Sequence, residues 1–347
     1  MKNSCDFVQV LLMMVFMLFP LMANAQSNEG DQRSSVLFIA GQSREEFRDY
    51  LRDVSKKGQQ CPLPGGASFY TALNSSGFTE PHSNFPGDNH QDLEYLQMVQ
   101  DPLVIQIGLW MSREQLYQTI AGDQDAQIKQ MFESLKALQR PVLLRIGYEF
   151  DGPHNRYPPA AYVQAYQRIA KVMRRARDIM LVWHSYAMIP TYQDYPVTDW
   201  YPGDEYVDWI GISVFQIGDE GFHETPNRDK LLAMARAKGK PVVIGEASAI
   251  RYTHRQKKLT GKEYWDYWYK PYFDLIEQHP EIRAATMIHV DWDNQQQHRE
   301  LDWGDCRIDR DPYVLKQWQK QLGKAYWLSA DKSLYSQVQK FVKKVDK

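Results

Sequence analysis

The chain predicts a single (β/α)8 barrel. Three observations lead there. Eight apolar, β-branched runs recur along its 347 residues. They alternate with helical patterns. Most are continuous apolar stretches, as expected for strands covered on both faces. Strands alternating with helices indicate βαβ units and a parallel sheet. Eight such units point to a closed barrel over an open sheet.

The runs are Val36–Gly41, Ser68–Leu73, Leu103–Trp110, Val142–Phe150, Ile179–Tyr186, Trp209–Phe215, Pro241–Ser248 and Ala284–Trp292. Helical patterns at Arg44–Lys57, Asp92–Gln100, Ser112–Gln139, Pro159–Asp178, Arg228–Lys238 and Lys262–Gln278 fill the spaces between them. No repeat, low-complexity linker or long charge run divides the chain. Residues 1–25 read as a secretory signal: Lys2, the apolar stretch Val8–Met22, then Ala23-Asn24-Ala25 as a cleavage site. The barrel is expected over 26–325, and 326–347 reads as a basic, helical C-terminal tail. A secreted or periplasmic location follows, with no further membrane span.

The fourth run is Val142-Leu-Leu-Arg-Ile-Gly-Tyr-Glu-Phe, and the seventh is Pro241-Val-Val-Ile-Gly-Glu-Ala-Ser. Each carries one glutamate at its end. A desolvated carboxylate costs stability, so a buried strand does not acquire one for packing. In a parallel barrel, the C-terminal strand ends are where reactive side chains project. Glu149 and Glu246 therefore form a candidate pair, one an acid/base and the other a nucleophile. The alternation of a strand places Arg145, Gly147 and Glu149 on one face, with Arg145 beneath Glu149. Such a guanidinium could hold either carboxylate ionised.

Around them, strand five ends in Trp183-His184-Ser185-Tyr186 and strand eight in His289-Val290-Asp291-Trp292. Aromatics are 13% of the chain, with 10 Trp and 21 Tyr. Their faces suit pyranose rings, and they also suit a bulky core. Trp183 and Trp292 are the stacking candidates. His184, His289 and Asp291 could instead converge on a metal, but strand one lacks an H-x-H pair and no H-E-x-x-H occurs, so no metal or other cofactor is expected. A formal charge of −2 without a basic stripe makes nucleic acid a poor partner. Of three cysteines, Cys5 leaves with the leader; Cys61 and Cys306 remain in an oxidising compartment, where a disulfide is expected.

The sequence resembles clan A glycoside hydrolases, and within them family 26, the mannanase-like group that includes some β-glucanases and xylanases. Its most specific piece is Trp200-Tyr-Pro-Gly-Asp-Glu-Tyr-Val-Asp-Trp-Ile-Gly211, similar to the family's W-Y-P-G-D-x-Y-V-D-x-x-G stretch before strand six. The resemblance implies an acid/base after strand four and a nucleophile after strand seven, which match Glu149 and Glu246. It implies retaining, double-displacement hydrolysis of a β-linked polysaccharide or oligosaccharide. The family's His-Glu is Tyr148-Glu149 here, and its aromatic after strand six, usually a Tyr bonded to the nucleophile, is Phe215. Arg145, Tyr148, Asp151, Trp183, His184, Phe215 and Trp292 would line the substrate site. Retention sets a carboxyl separation of about 5–5.5 Å, and the acid's pKa should rise while the nucleophile stays ionised. A glycan-binding barrel without catalysis, or a metal-dependent hydrolase, are the alternatives. A monomer is expected.

Overall fold

The apolar runs pair in chain order. β1 (Val36–Ala40), β2 (Gly66–Ala72), β3 (Val104–Trp110), β4 (Val142–Ile146), β5 (Ile179–Ser185), β6 (Trp209–Val214), β7 (Val242–Ala247) and β8 (Ile282–Met287) form a parallel ladder. β8 pairs back on β1 and closes the barrel. The computed structural model describes residues 35–56, 58–73, 90–188, 190–215, 226–250, 259–295 and 298–341. The leader 1–25 therefore lies outside the described residues. The upper end of β1 meets the start of β2, through Ile39↔Gly66 and Ala40↔Ala67. A ninth short strand, β9 (Trp327–Leu328), pairs with β1 lower down, at Val36 and Leu37.

Outward-facing side chains such as Phe69, Ile107, Leu144, Leu181 and Ile244 pack under the helices. Inward, the lower barrel is filled by Leu37, Val104, Leu143, Met180, Trp209 and Val243. The C-terminal segment joins this cluster through Leu334 and Val338. Both are fully buried, each contributing roughly 1.5–3 kcal/mol. The Tyr335 hydroxyl accepts a hydrogen bond from Leu103 N at 3.2 Å. The tail thus plugs the end of the barrel opposite the strand C-termini.

Helices surround the strands: α1 (Arg44–Asp53), α2 (His90–Met98), α3 (Arg113–Ala121), α4 (Asp125–Ala137), α5 (Pro159–Met173), α6 (Pro226–Lys238), α7 (Gly261–Tyr264), α8 (Lys270–Gln278), α9 (Pro312–Leu322) and α10 (Leu334–Gln339). The helix expected over Ser112–Gln139 is two. Ser112 and Gln115 form a capping box at the start of α3, and Gly122 ends it at φ 101°. The pattern expected over Lys262–Gln278 is interrupted by a wide turn at Trp265–Tyr269. Pro271 follows; its ring excludes the carbonyl four residues back, and Lys270 N–H instead reaches Trp265 O. Among the described residues, no helix is long and apolar enough to cross a membrane.

Candidate active site

Above the apolar floor, the barrel interior turns polar. Gln106 Nε2 donates to Ser68 Oγ and to Gly245 O, both at 2.9 Å, and tethers β2, β3 and β7. Over this layer lie two large polar side chains, Arg145 from β4 and His184 from β5, both fully buried. Three glycines make the space. A Cβ on Gly108 would lie 2.9 Å from Arg145 Nη2; on Gly245, 2.9 Å from His184 Nε2; on Gly211, 2.8 Å from His184 Cβ. Alanine at any of the three would press on the guanidinium, the imidazole or Tyr70.

Strict alternation along β7 would send Glu246 outward, since Ile244 faces the helices and Gly245 the interior. The register slips instead. Ile212 pairs with Ile244, but Ser213 pairs with Glu246. This bulge leaves Gly245 unpaired and turns Glu246 inward as well. Its Oε1 receives Arg145 Nη1 at 2.6 Å.

Glu149 arrives by a different route. β4 ends at Ile146, four residues earlier than expected. Gly147 takes φ +54°, and Glu149 itself φ +52°. A left-handed conformation costs a non-glycine residue on the order of 1–2 kcal/mol, and neighbouring bonds hold this one. Asn155 Nδ2 donates to Tyr148 O (2.8 Å) and Glu149 O (3.0 Å). Phe150 N donates to His184 O at 3.3 Å. The expected stacking of Arg145, Gly147 and Glu149 on one strand face is therefore corrected. Arg145 serves Glu246, and Glu149 meets other partners.

Those partners are Ser213 and His154. The Ser213 hydroxyl donates to Glu149 Oε1 at 2.6 Å, and His154 Nε2 lies 2.9 Å from Oε2. The same Ser213 oxygen is 3.1 Å from His184 Nε2, and His184 Nδ1 is 3.2 Å from Arg145 Nη1. A guanidinium only donates, so Nδ1 accepts and the His184 proton is assigned to Nε2, pointing at Ser213. One directed chain then links the two carboxyls: Arg145 to Glu246, Arg145 to His184, His184 to Ser213, Ser213 to Glu149.

The charges follow from these contacts. Burial, and then the charge of Glu149, push Glu246 up to about 7, against the pull of Arg145 and a smaller one from the Tyr70 hydroxyl. Burial would raise Glu149 too, but the hydrogen bond and charge of His154 outweigh it and hold the carboxyl below its ordinary value. The raised carboxyl is thus Glu246, the reverse of the expectation, because the histidine sits beside Glu149. Burial, reinforced by Arg145, drops His184 to about 3, so it is neutral.

Several expected site residues take other places. Trp183 is fully buried in the helix layer, stacked on Phe150 at 4.6 Å, with Nε1 donating to Trp200 O at 3.0 Å. Alternation explains it: His184 faces in, so Trp183 faces out. Trp292 is buried too, its Nε1 donating to Ser248 Oγ at 3.0 Å. Asp151 is buried under the loop, accepting from Ser185 Oγ at 2.7 Å and Tyr186 N at 2.6 Å. It pins the Glu149 turn to the end of β5. Phe215 is buried in an apolar cluster with Ile250, Ile288 and Trp292. Tyr148 does border the site, its ring 5.3 Å from the Arg145 guanidinium.

The residues missed are Tyr70, Ser213 and His154. Tyr70 shares the inward face of β2 with Ser68, and Ser213 that of β6 with Gly211, so alternation could have found both. The Tyr70 ring lies 5.1 Å from the Arg145 guanidinium. A hydroxyl beside Glu246 thus comes from β2, while the residue after β6 is Phe215. Likewise no histidine stands at 148, but one reaches Glu149 from 154. Half-buried Trp303 stacks on His298 at 4.8 Å and on Phe215 at 6.3 Å.

Cys61 and Cys306 are free thiols, which corrects the expected disulfide. Cys61 belongs to the helix-layer core beside Tyr50, and Cys306 to the Phe215–Trp292 cluster beside Ser248. His184, His289 and Asp291 do not converge. Asp291 is paired with Arg307 at 3.0 Å. His289 lies with Asp53 and Asp309, ligand atoms within 4.8 Å of one another. Its Nδ1 accepts from Ile308 N at 3.1 Å, which assigns the ring proton to Nε2, 3.5 Å from Asp309 Oδ1. A metal-binding histidine presents a bare nitrogen and donates through the other, so this arrangement opposes ligation.

The chain is similar to several known proteins. A β-1,3-xylanase from Alcaligenes sp is 28% identical over 334 residues, 90% of this chain and 67% of that protein. A second, β-1,3-xylanase TXYA from Vibrio sp, is 28% identical over 327 residues, 87% and 68% of the two chains. Among solved structures, the fold matches a family 26 β-mannanase from Bacteroides ovatus (TM-score 0.57, 14% identity, 87% of this chain and 93% of that one). It also matches a modular endo-β-1,4-mannanase from Cellulomonas fimi (TM-score 0.59, 13% identity, 87% and 74%). The family model for glycosyl hydrolase family 26 matches residues 109–316, more than half of the chain and spanning both glutamates, and on that match the chain belongs to glycosyl hydrolase family 26.

Proposed function

We propose that this glycoside hydrolase cleaves a β-1,3-linked xylan by double displacement, with Glu149 as acid/base and Glu246 as nucleophile. The observation that carries the mechanism is the chain Glu246–Arg145–His184–Ser213–Glu149, which joins two buried carboxyls at the C-terminal end of one barrel. The substrate class is drawn from the two relatives, each named a β-1,3-xylanase.

In the first step Glu149 gives a proton to the leaving oxygen while Glu246 attacks the anomeric carbon. Arg145 stabilises Glu246 as the ionised form the attack requires. In the second step Glu149, now a carboxylate, takes a proton from the water that releases the sugar. Neutral His184 and Ser213 orient both groups.

The test is the anomeric configuration of the first product from β-1,3-xylan, followed by NMR. The β-anomer should appear first; the α-anomer first would mean inversion. Glu246→Ala and Glu149→Ala should each lose orders of magnitude in turnover. Hydrolysis of β-1,4-mannan but not of β-1,3-xylan would remove the substrate assignment. We also propose secretion, on the strength of the leader at residues 1–25; a mature N-terminus at Gln26 on sequencing is the expected result.

A further inference from the structure

Glu149 must carry a proton when the leaving oxygen arrives, yet the structure surrounds it with groups that favour its carboxylate. Its two oxygens are both taken, Oε1 by the Ser213 hydroxyl at 2.6 Å and Oε2 by His154 Nε2 at 2.9 Å. The Ser213 side cannot deliver a proton. That chain runs through His184 to Arg145, and a guanidinium does not deprotonate in proteins. His154 is different. Its side chain is 46% exposed, so its far edge exchanges protons with water.

The imidazole also has a built seat. It meets the Tyr186 ring edge-on at 5.3 Å. It lies over Gly152, where a Cβ would come within 2.3 Å of its Cε1. Any other residue at 152 would push the ring off Glu149. Asn155, one residue further along the same loop, pins the Tyr148 and Glu149 carbonyls. Loop and carboxyl are thus held as one unit.

We propose, resting on the double-displacement reading above, that His154 acts through Glu149 as the proton store of the acid/base. At rest the proton sits on His154 Nε2 and Glu149 is a carboxylate. As sugar fills the cleft and removes water, the ion pair loses its solvation. The N–H bond breaks, its electron pair stays on Nε2, and an O–H bond forms on Glu149 Oε2. That proton then passes to the leaving oxygen as the C–O pair withdraws to it and Glu246 bonds the anomeric carbon. In the second step Glu149 takes a proton from the attacking water and returns it to His154. Only water is consumed. Glu149, Glu246 and Asp151 face His154 with negative or ionisable groups, and Tyr186 with its ring. Burial alone would lower the imidazole's affinity for its proton; the hydrogen bond and charge of Glu149 reverse that and raise it.

The test uses His154→Gln and His154→Ala in the whole enzyme. Two substrates are compared: β-1,3-xylan, and the dinitrophenyl glycoside of β-1,3-xylobiose, whose leaving group needs no proton. In the wild type, the alkaline limb of kcat/KM marks loss of the pair's proton from His154. In the variants Glu149 alone must hold it, and burial, no longer offset by the histidine, raises its affinity for that proton. The limb on xylan should leave the position set by His154, with a rate loss on the order of 10²-fold at neutral pH. The dinitrophenyl glycoside should lose less than about threefold, against the acid-catalysis term it does not use. Equal losses on both substrates, or a limb unmoved, would overturn the proposal. A second readout avoids the variants at 154: the imidazole ¹⁵N titration of His154 should move to lower pH in Glu149→Gln, and an unchanged titration also refutes it. Failure of the underlying reading is separate: Glu149→Ala would then keep its rate on xylan.

Discussion

Arg145 Nη1 lies 2.6 Å from Glu246 Oε1, although the two residues stand on β4 and β7. The guanidinium is fully buried, and Gly108 and Gly245 are what allow it to cross the barrel interior. It also donates to His184 Nδ1 at 3.2 Å, so one cation orients both halves of the site. Removing it leaves a buried carboxyl beside another, and that carboxyl responds by keeping its proton.

Arg145→Met should therefore be inactive near neutrality, with the acid limb of kcat/KM displaced upward from the wild-type position. Breaking one side of a buried ion pair also costs about 3–5 kcal/mol of stability. Denaturant unfolding and a pH–rate profile check the two halves of this expectation. A variant that kept the wild-type acid limb would show that Arg145 does not hold Glu246 ionised.

Ser213→Ala removes a hydroxyl that donates to Glu149 at 2.6 Å and accepts from His184 at 3.1 Å. Hydrogen bonds to charged groups are worth about 1.5–3 kcal/mol, or one to two decades in rate. The loss should fall on kcat, with KM near its original value, because Ser213 orients the Glu149 carboxyl, the proposed acid/base, and is itself buried. Steady-state kinetics on β-1,3-xylan separates the two parameters.

The fold was legible because strands covered on both faces leave continuous apolar runs, and eight of them alternate with helices. Both glutamates were legible as charges ending those runs. Their aim was not. Glu246 points inward through a register slip at Gly245, and Glu149 through left-handed backbone at Gly147 and at itself. Neither feature has a period that a pattern reading detects. His154 sits in a turn-rich loop and meets Glu149 only after that loop folds. The platform role expected of Trp183 and Trp292 has no pattern of its own, because tryptophan near a site suits sugar and core alike. Burial decides between the two, and it is a tertiary property.

Trp183 should accordingly behave as a core residue. Trp183→Ala opens a cavity beside Phe150 and frees the Trp200 carbonyl, at a cost of about 3–5 kcal/mol. Its KM should stay within about twofold of wild type, since a helix-layer side chain gives no pyranose face to lose. Thermal unfolding and KM of this variant decide the matter; a raised KM would restore Trp183 as a platform.

His289 offers the clearest test of how burial couples to pH. It is fully buried behind β8, its Nδ1 accepting from Ile308 N and its Nε2 facing Asp309. Burial drops its pKa to about 3, while an unfolded histidine titrates near 6.5. Between those values the unfolded chain takes up a proton that the folded one refuses. Stability from this residue is therefore full above about pH 6.5 and is lost as pH falls toward 3. The limiting slope is about 1.4 kcal/mol per pH unit. His184 contributes in the same direction, whereas Glu246, raised to about 7, binds its proton more tightly when folded and opposes them. The wild-type profile is thus a sum, and a single substitution isolates one part of it. His289→Asn keeps an acceptor for Ile308 N but cannot titrate. Measured by urea unfolding at pH 7, 6, 5 and 4, it should lose less stability than wild type over that range. The gap should open below pH 6.5. Parallel curves would show that His289 is protonated inside the fold, balanced by Asp53 and Asp309.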